Sequence, residues 1–212
     1  MRITKFGHAC VRIEHEGTTL VLDPGVFTDR EALDGADAIL ITHEHPDHYL
    51  PDHLKAVQAP VWTIDAVAAR IREDAPDVFE RTTVVTPGQS FEVGGVPVSA
   101  VGELHAVIHP ELPRFHNSGF LFTLGDSRVF HPGDALTGPG TDIDVLLAPA
   151  SAPWARSHEL VDFMREVKAP VNIAIHDRIY SEAGHGVLDN LANQFLPQAG
   201  QELKRLKDGE DL

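Results

Sequence analysis

The sequence predicts an α/β fold in which β-sheets are covered on their outer faces by helices. Three observations carry this. β-rich segments alternate with helical ones and close in a strand–helix–strand–helix order. Two short continuous apolar runs, Ala38–Thr42 (AILIT) and Ile143–Ala148 (IDVLLA), have the pattern of strands buried on both faces. Gly and Pro punctuate the remaining β segments at turn spacing.

Taken in order, Ile3–Phe6, Cys10–Glu14 and Thr18–Leu22 are β-rich runs separated by Gly7 and by Glu16-Gly17. After the run at 38–42, helices are expected at Pro51–Val57 and Asp65–Glu73, with Pro51 at a first-turn position where its missing N–H costs nothing. Between Thr83 and Val101 the chain returns to β (TVVT, SFEV, VPVSAV) around a Gly94-Gly95 turn. Gly119–Leu124 and Ser127–Phe130 flank Gly125-Asp126, a hairpin signal. Ser157 then reads as the N-cap of a helix Glu159–Val167, Val171–Ile175 as a strand, and Leu188–Phe195 and Gln201–Leu206 as helices. No stretch has linker composition and no long repeat is visible, so residues 1–212 read as a single domain.

Composition narrows the function. One cysteine, Cys10, cannot form an internal disulfide or a four-cysteine zinc site. No apolar stretch approaches the roughly 20 residues that span a bilayer, and the opening Met1–His8 lacks a signal-peptide apolar region; a cytoplasmic protein is the expectation. Against 17 basic side chains stand 32 acidic ones, a formal charge of −15 without a basic run, which argues against nucleic acid as partner. The 13 histidines are the feature that calls for an explanation.

Many of them gather. Thr42-His43-Glu44-His45-Pro46-Asp47-His48 places four potential ligands within six residues, directly after a buried strand. In an extended segment His-x-His puts two imidazoles on one side. Asp47 and His48, beyond the turn at Pro46, can aim at a second position. Neutral imidazole with carboxylate suits zinc, iron or manganese. One motif cannot complete two metal sites, and three further candidates sit at the ends of predicted strands: His105, Asp134 (in HPGD) and His176. His109 and His116 share a loop with His105, which is favoured as nearest the strand end.

The set H43-x-H45-x-D47-H48, His105, Gly133-Asp134 and His176 resembles the metallo-β-lactamase superfamily of hydrolases over nearly the whole chain, from Asp23 in LVLDPG to His176. The opening FGHACVRIE…TTLVLDPG is similar to the compact subgroup containing ascorbate-6-phosphate lactonases and N-acyl-phosphatidylethanolamine phospholipases. The resemblance implies a four-layer αββα sandwich with two mixed sheets and a dinuclear site at one edge. It assigns His43, His45 and His105 to a first metal, Asp47, His48 and His176 to a second, and Asp134 to both, with Asp23 orienting the His-rich loop. Two divalent cations are implied, zinc first, with manganese or iron as alternatives. Asp47 and Asp134 would be the catalytic carboxylates, and a bridging hydroxide would attack a small ester, lactone or phosphodiester. A non-catalytic metal-binding or sensor protein of the same fold is the alternative.

Around the metals, His8, His116 and Asn117 are candidates for the substrate pocket. Arg114, Arg128, Arg156 and Arg178 are the basic residues nearest the motif loops for an anionic small-molecule substrate. His15, His53, His158 and His185 read as surface or capping residues, and Cys10 as a buried small hydrophobe.

Overall fold

The computed structural model describes all 212 residues. Its first sheet contains β1 (Arg2–Lys5), β2 (Val11–His15), β3 (Thr18–Leu22), β4 (Ala38–Ile41), β5 (Val61–Thr63) and β6 (Thr82–Val84), paired in that order. β1 to β3 form an antiparallel meander, and β3 to β6 are parallel. The second sheet runs β7 (Ser90–Val93), β8 (Val96–Val101), β9 (Gly119–Leu124), β10 (Ser127–His131), β11 (Val145–Pro149), β12 (Val171–Ile175) and β13 (Glu202–Lys204). It repeats the same plan: antiparallel through β10, then parallel.

Period-2 alternation in the strands sets the layers. Leu20, Leu22, Leu40, Leu147, Ile173 and Ile175 enter one core shared by both sheets. Their neighbours Val21, Ile39 and Ile41 turn outward under α1 (Pro51–Lys55), α2 (Asp65–Asp74) and α3 (Pro76–Phe79). Leu146, Ala148 and Ala174 turn outward under α4 (Ser157–Val167) and α5 (Glu182–Phe195). Three apolar cores between four layers give the αββα sandwich, and the continuous apolar runs in the sequence are strands with both faces covered. The tail at 208–212 bonds back along β1, with Leu212 N–H donating to the Ile3 carbonyl at 2.9 Å, which covers an otherwise open sheet edge.

Some expectations are corrected. Residues 202–204 are a strand, not a helix, and pair in parallel with 171–173. The Gln201 amide fixes this segment by donating to the carbonyls of Met164 and Ala169, at 2.8 and 3.0 Å; a run of six residues is too short to nucleate a helix against that pairing. Ser157 is the first residue of α4 rather than its cap; Arg156 caps it, its backbone N–H donating to Glu159 at 2.7 Å. α5 begins six residues earlier than expected, where Ser181 Oγ accepts the Gly184 N–H. The three-residue β5 is too short to show a period.

Cys10 is fully buried under the helical layer of the first sheet. Burial pushes its thiol well above the ordinary range. The native protein is therefore expected to leave a thiol reagent such as dithionitrobenzoate unreacted over hours, with one equivalent titrating at once in denaturant. Prompt labelling of the folded chain would contradict this packing.

Candidate metal centre

Strand polarity assembles the site. β1, β3 and β4 run in one direction in the first sheet, and β8, β10, β11 and β12 run together in the second. Their carboxyl ends meet at one edge of the sandwich, the edge where open α/β sheets bind ligands. His8 follows β1, Asp23 follows β3, the segment 43–48 follows β4, His105 follows β8, Asp134 follows β10 and His176 follows β12.

The ligating atoms form two groups, each with all atoms within 4.8 Å of one another: His43, His45, His105 and Asp134, and His8, Asp47, His48 and His176. In the first, His43 Nε2 lies 3.0 Å from His45 Nδ1, and Asp134 Oδ2 lies 3.3 Å from His105 Nε2 and 3.9 Å from His43 Nε2. In the second, Asp47 Oδ2 is 3.2 Å from His176 Nε2 and 3.9 Å from His48 Nε2. Asp134 reaches this group too, with Oδ1 3.2 Å from His48 Nε2 and Oδ2 3.1 Å from His176 Nε2. Tetrahedral ligands about 2.0–2.1 Å from one cation stand about 3.3 Å apart, so these separations suit a shared ion.

The unpaired atoms make the same case. Nε2 of His48, His105 and His176 and Oδ1 of Asp134 are buried with no hydrogen bond of acceptable geometry. Each orphaned buried polar group costs roughly 1–3 kcal/mol, and four facing one space call for a ligand. The far side of each ring is occupied. His105 Nδ1 donates to the Ala106 carbonyl at 2.6 Å, and His176 Nδ1 donates to the Ser151 carbonyl at 2.5 Å. His48 Nδ1 donates to Asp23 Oδ2 at 2.8 Å, and His43 Nδ1 to Thr42 Oγ1 at 3.0 Å. Those bonds fix the tautomers that leave Nε2 lone pairs facing inward, as metal-bound histidines require. The donor set fits a divalent cation.

Asp23 organises the centre from behind. Fully buried at a left-handed φ of 45°, it accepts from the Thr42 N–H, Thr42 Oγ1, His48 Nδ1 and His131 Nε2, each at 2.8 Å. Gly133 lets Asp134 come close: its φ is +61°, and a Cβ there would meet Asn117 Oδ1 at 2.3 Å and Thr42 Oγ1 at 2.7 Å.

His8 is buried and packs on His176 with ring centroids 3.9 Å apart. The Arg178 backbone N–H donates to its Nδ1 at 3.0 Å, so the proton of the neutral ring sits on Nε2, which donates to Asp47 Oδ2 at 3.2 Å. Burial drives His8 down to about 4, keeping it neutral. It orients Asp47 instead of adding a ligand.

Two pocket candidates are corrected. Asn117 is buried behind Asp134, accepting the Asp134 N–H at 3.0 Å and donating to the Pro132 carbonyl at 2.9 Å. His116 is exposed and lines a separate groove with Ile64, Val84 and Pro87. His53, read as a surface residue, is buried and donates to the Pro24 carbonyl at 3.1 Å. Three of the four arginines are engaged elsewhere: Arg114 with the His105 carbonyl, Arg128 with Thr141 and Asp142, and Arg178 with Asp208. Residues the sequence did not single out are His131, Ser151 and Trp154, whose indole N–H donates to Asp134 Oδ2 at 3.1 Å.

Proton and metal compete for the same atoms. Burial alone would lower His48 and His176, but Asp134 beside both, with Asp23 at His48 and Asp47 at His176, outweighs it. His48 is held well above the ordinary imidazole range and His176 at about 9. At pH 7 the metal-free site therefore holds protons that must leave when a cation binds. Calorimetric titration of zinc in buffers of different ionisation enthalpy is expected to show release of about one proton from each of these imidazoles at pH 7. The His176 share of that release falls as pH rises past about 9. Uptake without proton release at pH 7 would contradict the assignment.

A family model described as Beta-lactamase superfamily domain matches residues 2–176. Protein Rv0786c of Mycobacterium tuberculosis is 40% identical over 195 residues, 88% of this chain and 89% of its own. A UPF0173 metal-dependent hydrolase of Geobacillus thermodenitrificans is 29% identical over 177 residues, 70% of this chain and 73% of its own. The structure of Igni18, a metallo hydrolase from the archaeon Ignicoccus hospitalis, matches with a TM-score of 0.77 at 15% identity, covering 100% of this chain and 97% of that one. At that identity the likeness speaks for the fold. Fold, ligand groups and relatives together define a metal-dependent hydrolase of the metallo-β-lactamase fold. The chain belongs to the beta-lactamase superfamily, and the matched segment ends on His176.

Proposed function

We propose that the chain binds two divalent cations, zinc in the first instance, and hydrolyses a small ester, lactone or phosphodiester. The observation that supports this best is the position of Asp134, whose two oxygens face both ligand groups. His43 Nε2, His45 Nδ1 and His105 Nε2 would hold the first ion, Asp47, His48 and His176 the second, and Asp134 both. Once bound, the cations supply a water ionised near neutral pH and a Lewis-acid contact for the substrate oxygen.

The chain's own residues do the rest. His8 Nε2–H and the Trp154 indole N–H each hold one oxygen of Asp47 and Asp134, fixing the two carboxylates before substrate arrives. His43, His48, His105, His176 and Asp134 are almost wholly shielded, which excludes bulk water and strengthens every charge interaction at the site. Asp47, with 21% of its side chain exposed, is the carboxylate nearest solvent, and its Oδ1 makes no hydrogen bond. Burial alone would raise its carboxyl, but His176 and His8 outweigh that and hold it well below the usual range, so it stays ionised and its free Oδ1 is placed to accept a hydrogen bond that orients the attacking water.

The test pairs metal analysis with a substrate panel of aryl esters, lactones and phosphodiesters. Two ions per chain with turnover that His45→Ala removes is the expected result. Fewer than one ion per chain, with no activity restored by zinc or manganese, would overturn the reading. Full metal loading without turnover on any substrate would favour the non-catalytic metal-binding alternative.

A further inference from the structure

Of the twelve large apolar side chains exposed in this protein, eight lie on three loops that carry or adjoin site residues. Val26 and Phe27 follow Asp23, Val107, Ile108, Leu112 and Phe115 lie with Leu104 around His105, and Ile179 follows His176. Scattered exposed hydrophobes need no explanation, but a concentration of them around one site does.

Three aromatic rings from separate elements touch the site histidines directly. Phe115, 37% exposed, has its ring centroid 4.6 Å from that of His45. Phe27, 44% exposed, stands 5.2 Å from His8. Trp154, half-buried, stands 5.6 Å from His105 and 6.3 Å from His176. The two ligand side chains that reach solvent are His45 and Asp47. His45 is flanked by Phe115, and Asp47 by His8, on which Phe27 packs. Each ligand that reaches solvent is therefore bordered, directly or through His8, by an exposed phenyl ring.

Free positive charge is missing from the same three loops. Arg114 and Arg178, the basic residues on these loops, are bound to the His105 carbonyl and to Asp208. Apart from the cations, no free basic side chain on these three loops would receive a second anionic group; Arg156, exposed two residues beyond Trp154, lies outside them.

We propose that the substrate carries an apolar alkyl or aryl group beside the hydrolysed bond, seated against Phe27, Phe115 and Trp154. This rests on the metal-dependent reading above and names its substrate class. A protein partner seated on these rings would lie on the ligand imidazoles and block the centre, so the occupant is the substrate itself.

The test uses zinc-loaded protein and a series of hydroxamates, metal-chelating and non-hydrolysed, with alkyl chains from two to eight carbons. Binding is measured by calorimetry, independent of turnover. The expected result is a Kd that falls about twofold to fourfold per added methylene until the collar is filled. Phe27→Ser and Phe115→Ser should each flatten that dependence, weakening the octyl hydroxamate by a far larger factor than acetohydroxamate; Phe115→Leu should restore most of it. Both positions are exposed, so thermal melts of the variants are expected to match the parent.

A chain-length dependence already flat in the parent overturns the proposal. So does tighter binding of a carboxylate-tailed hydroxamate than of an alkyl one of equal length. If the serine variants keep the dependence but dissolve a dimer in sedimentation, the rim is an interface between copies and the proposal fails. Failure of every hydroxamate to bind, with no zinc retained, would instead overturn the metal-dependent reading on which it rests.

Discussion

Asp134→Ala is expected to strip the protein of metal and end turnover while leaving the sandwich folded. Asp134 is almost wholly buried, and it stands among the imidazoles of His43, His48, His105 and His176 at 3.1–3.9 Å. Burial alone would raise its carboxyl, but His176 and His48 outweigh that and hold it well below the ordinary range, ionised at any working pH. Alanine removes the one anion common to both ligand groups. Since losing a partner behind a ligand typically costs 10–100-fold in metal affinity, losing this carboxylate should cost at least about 100-fold. On the proposed two-zinc reading, bound zinc should fall from two ions per chain to under one. The several kcal/mol that paired cations contribute to the transition state corresponds to a loss of about 10³-fold or more in turnover. Asp134→Asn keeps the shape without the charge and should retain more metal than alanine. Elemental analysis with circular dichroism checks both, and full metal loading in the alanine variant would show that the two groups do not share this residue.

How much of this could be read in the chain alone follows from distance along it. His43, His45, Asp47 and His48 declare themselves because four ligands fall within six residues after a strand whose apolar run is unmistakable. His105, Asp134 and His176 could be anticipated because each follows a recognisable strand, and strands of like polarity end at the same edge. His131 could not. It lies 108 residues from Asp23, and only the packing of the two sheets brings its Nε2 to that carboxylate. Trp154 is similar: nothing in LAPASAPWARS marks an indole that will bond to Asp134. Asn117 was expected in the pocket because its loop reaches the site, yet its side chain turns behind Asp134; a sequence fixes proximity better than it fixes facing. β13 was misjudged because ELKRL satisfies a helical period, and its strand state comes from an edge that only the folded sheet provides.

Replacing Asp23 should cost more stability than any other single change at the centre, although Asp23 is not itself among the candidate metal ligands. Its two oxygens accept four hydrogen bonds within a fully buried pocket, and removing the carboxylate orphans the Thr42 N–H and hydroxyl together with His48 Nδ1–H and His131 Nε2–H. Breaking a buried charged network by deleting one partner typically costs about 3–5 kcal/mol. Asp23→Ala is therefore expected to lower stability by that amount, and metal affinity by a further 10–100-fold because His48 loses the bond that sets its tautomer. Asp23→Asn separates the two effects. With its oxygen turned toward Thr42 Oγ1, His48 and His131, an asparagine satisfies three donors and opposes only the Thr42 N–H, a loss of about 1–3 kcal/mol. The pH dependence has a definite sign. Burial tends to raise the Asp23 carboxyl, but His48 and His131 outweigh it and hold it below the usual range. Its contribution is therefore complete above the unfolded value near pH 4 and fades as acid protonates the folded form. Urea melts of metal-free protein should show the parent losing stability on acidification below about pH 4 more steeply than Asp23→Ala, which no longer has that carboxylate to protonate. Parallel curves for the two proteins would mean that the ionised form of Asp23 does not hold this edge of the sandwich together.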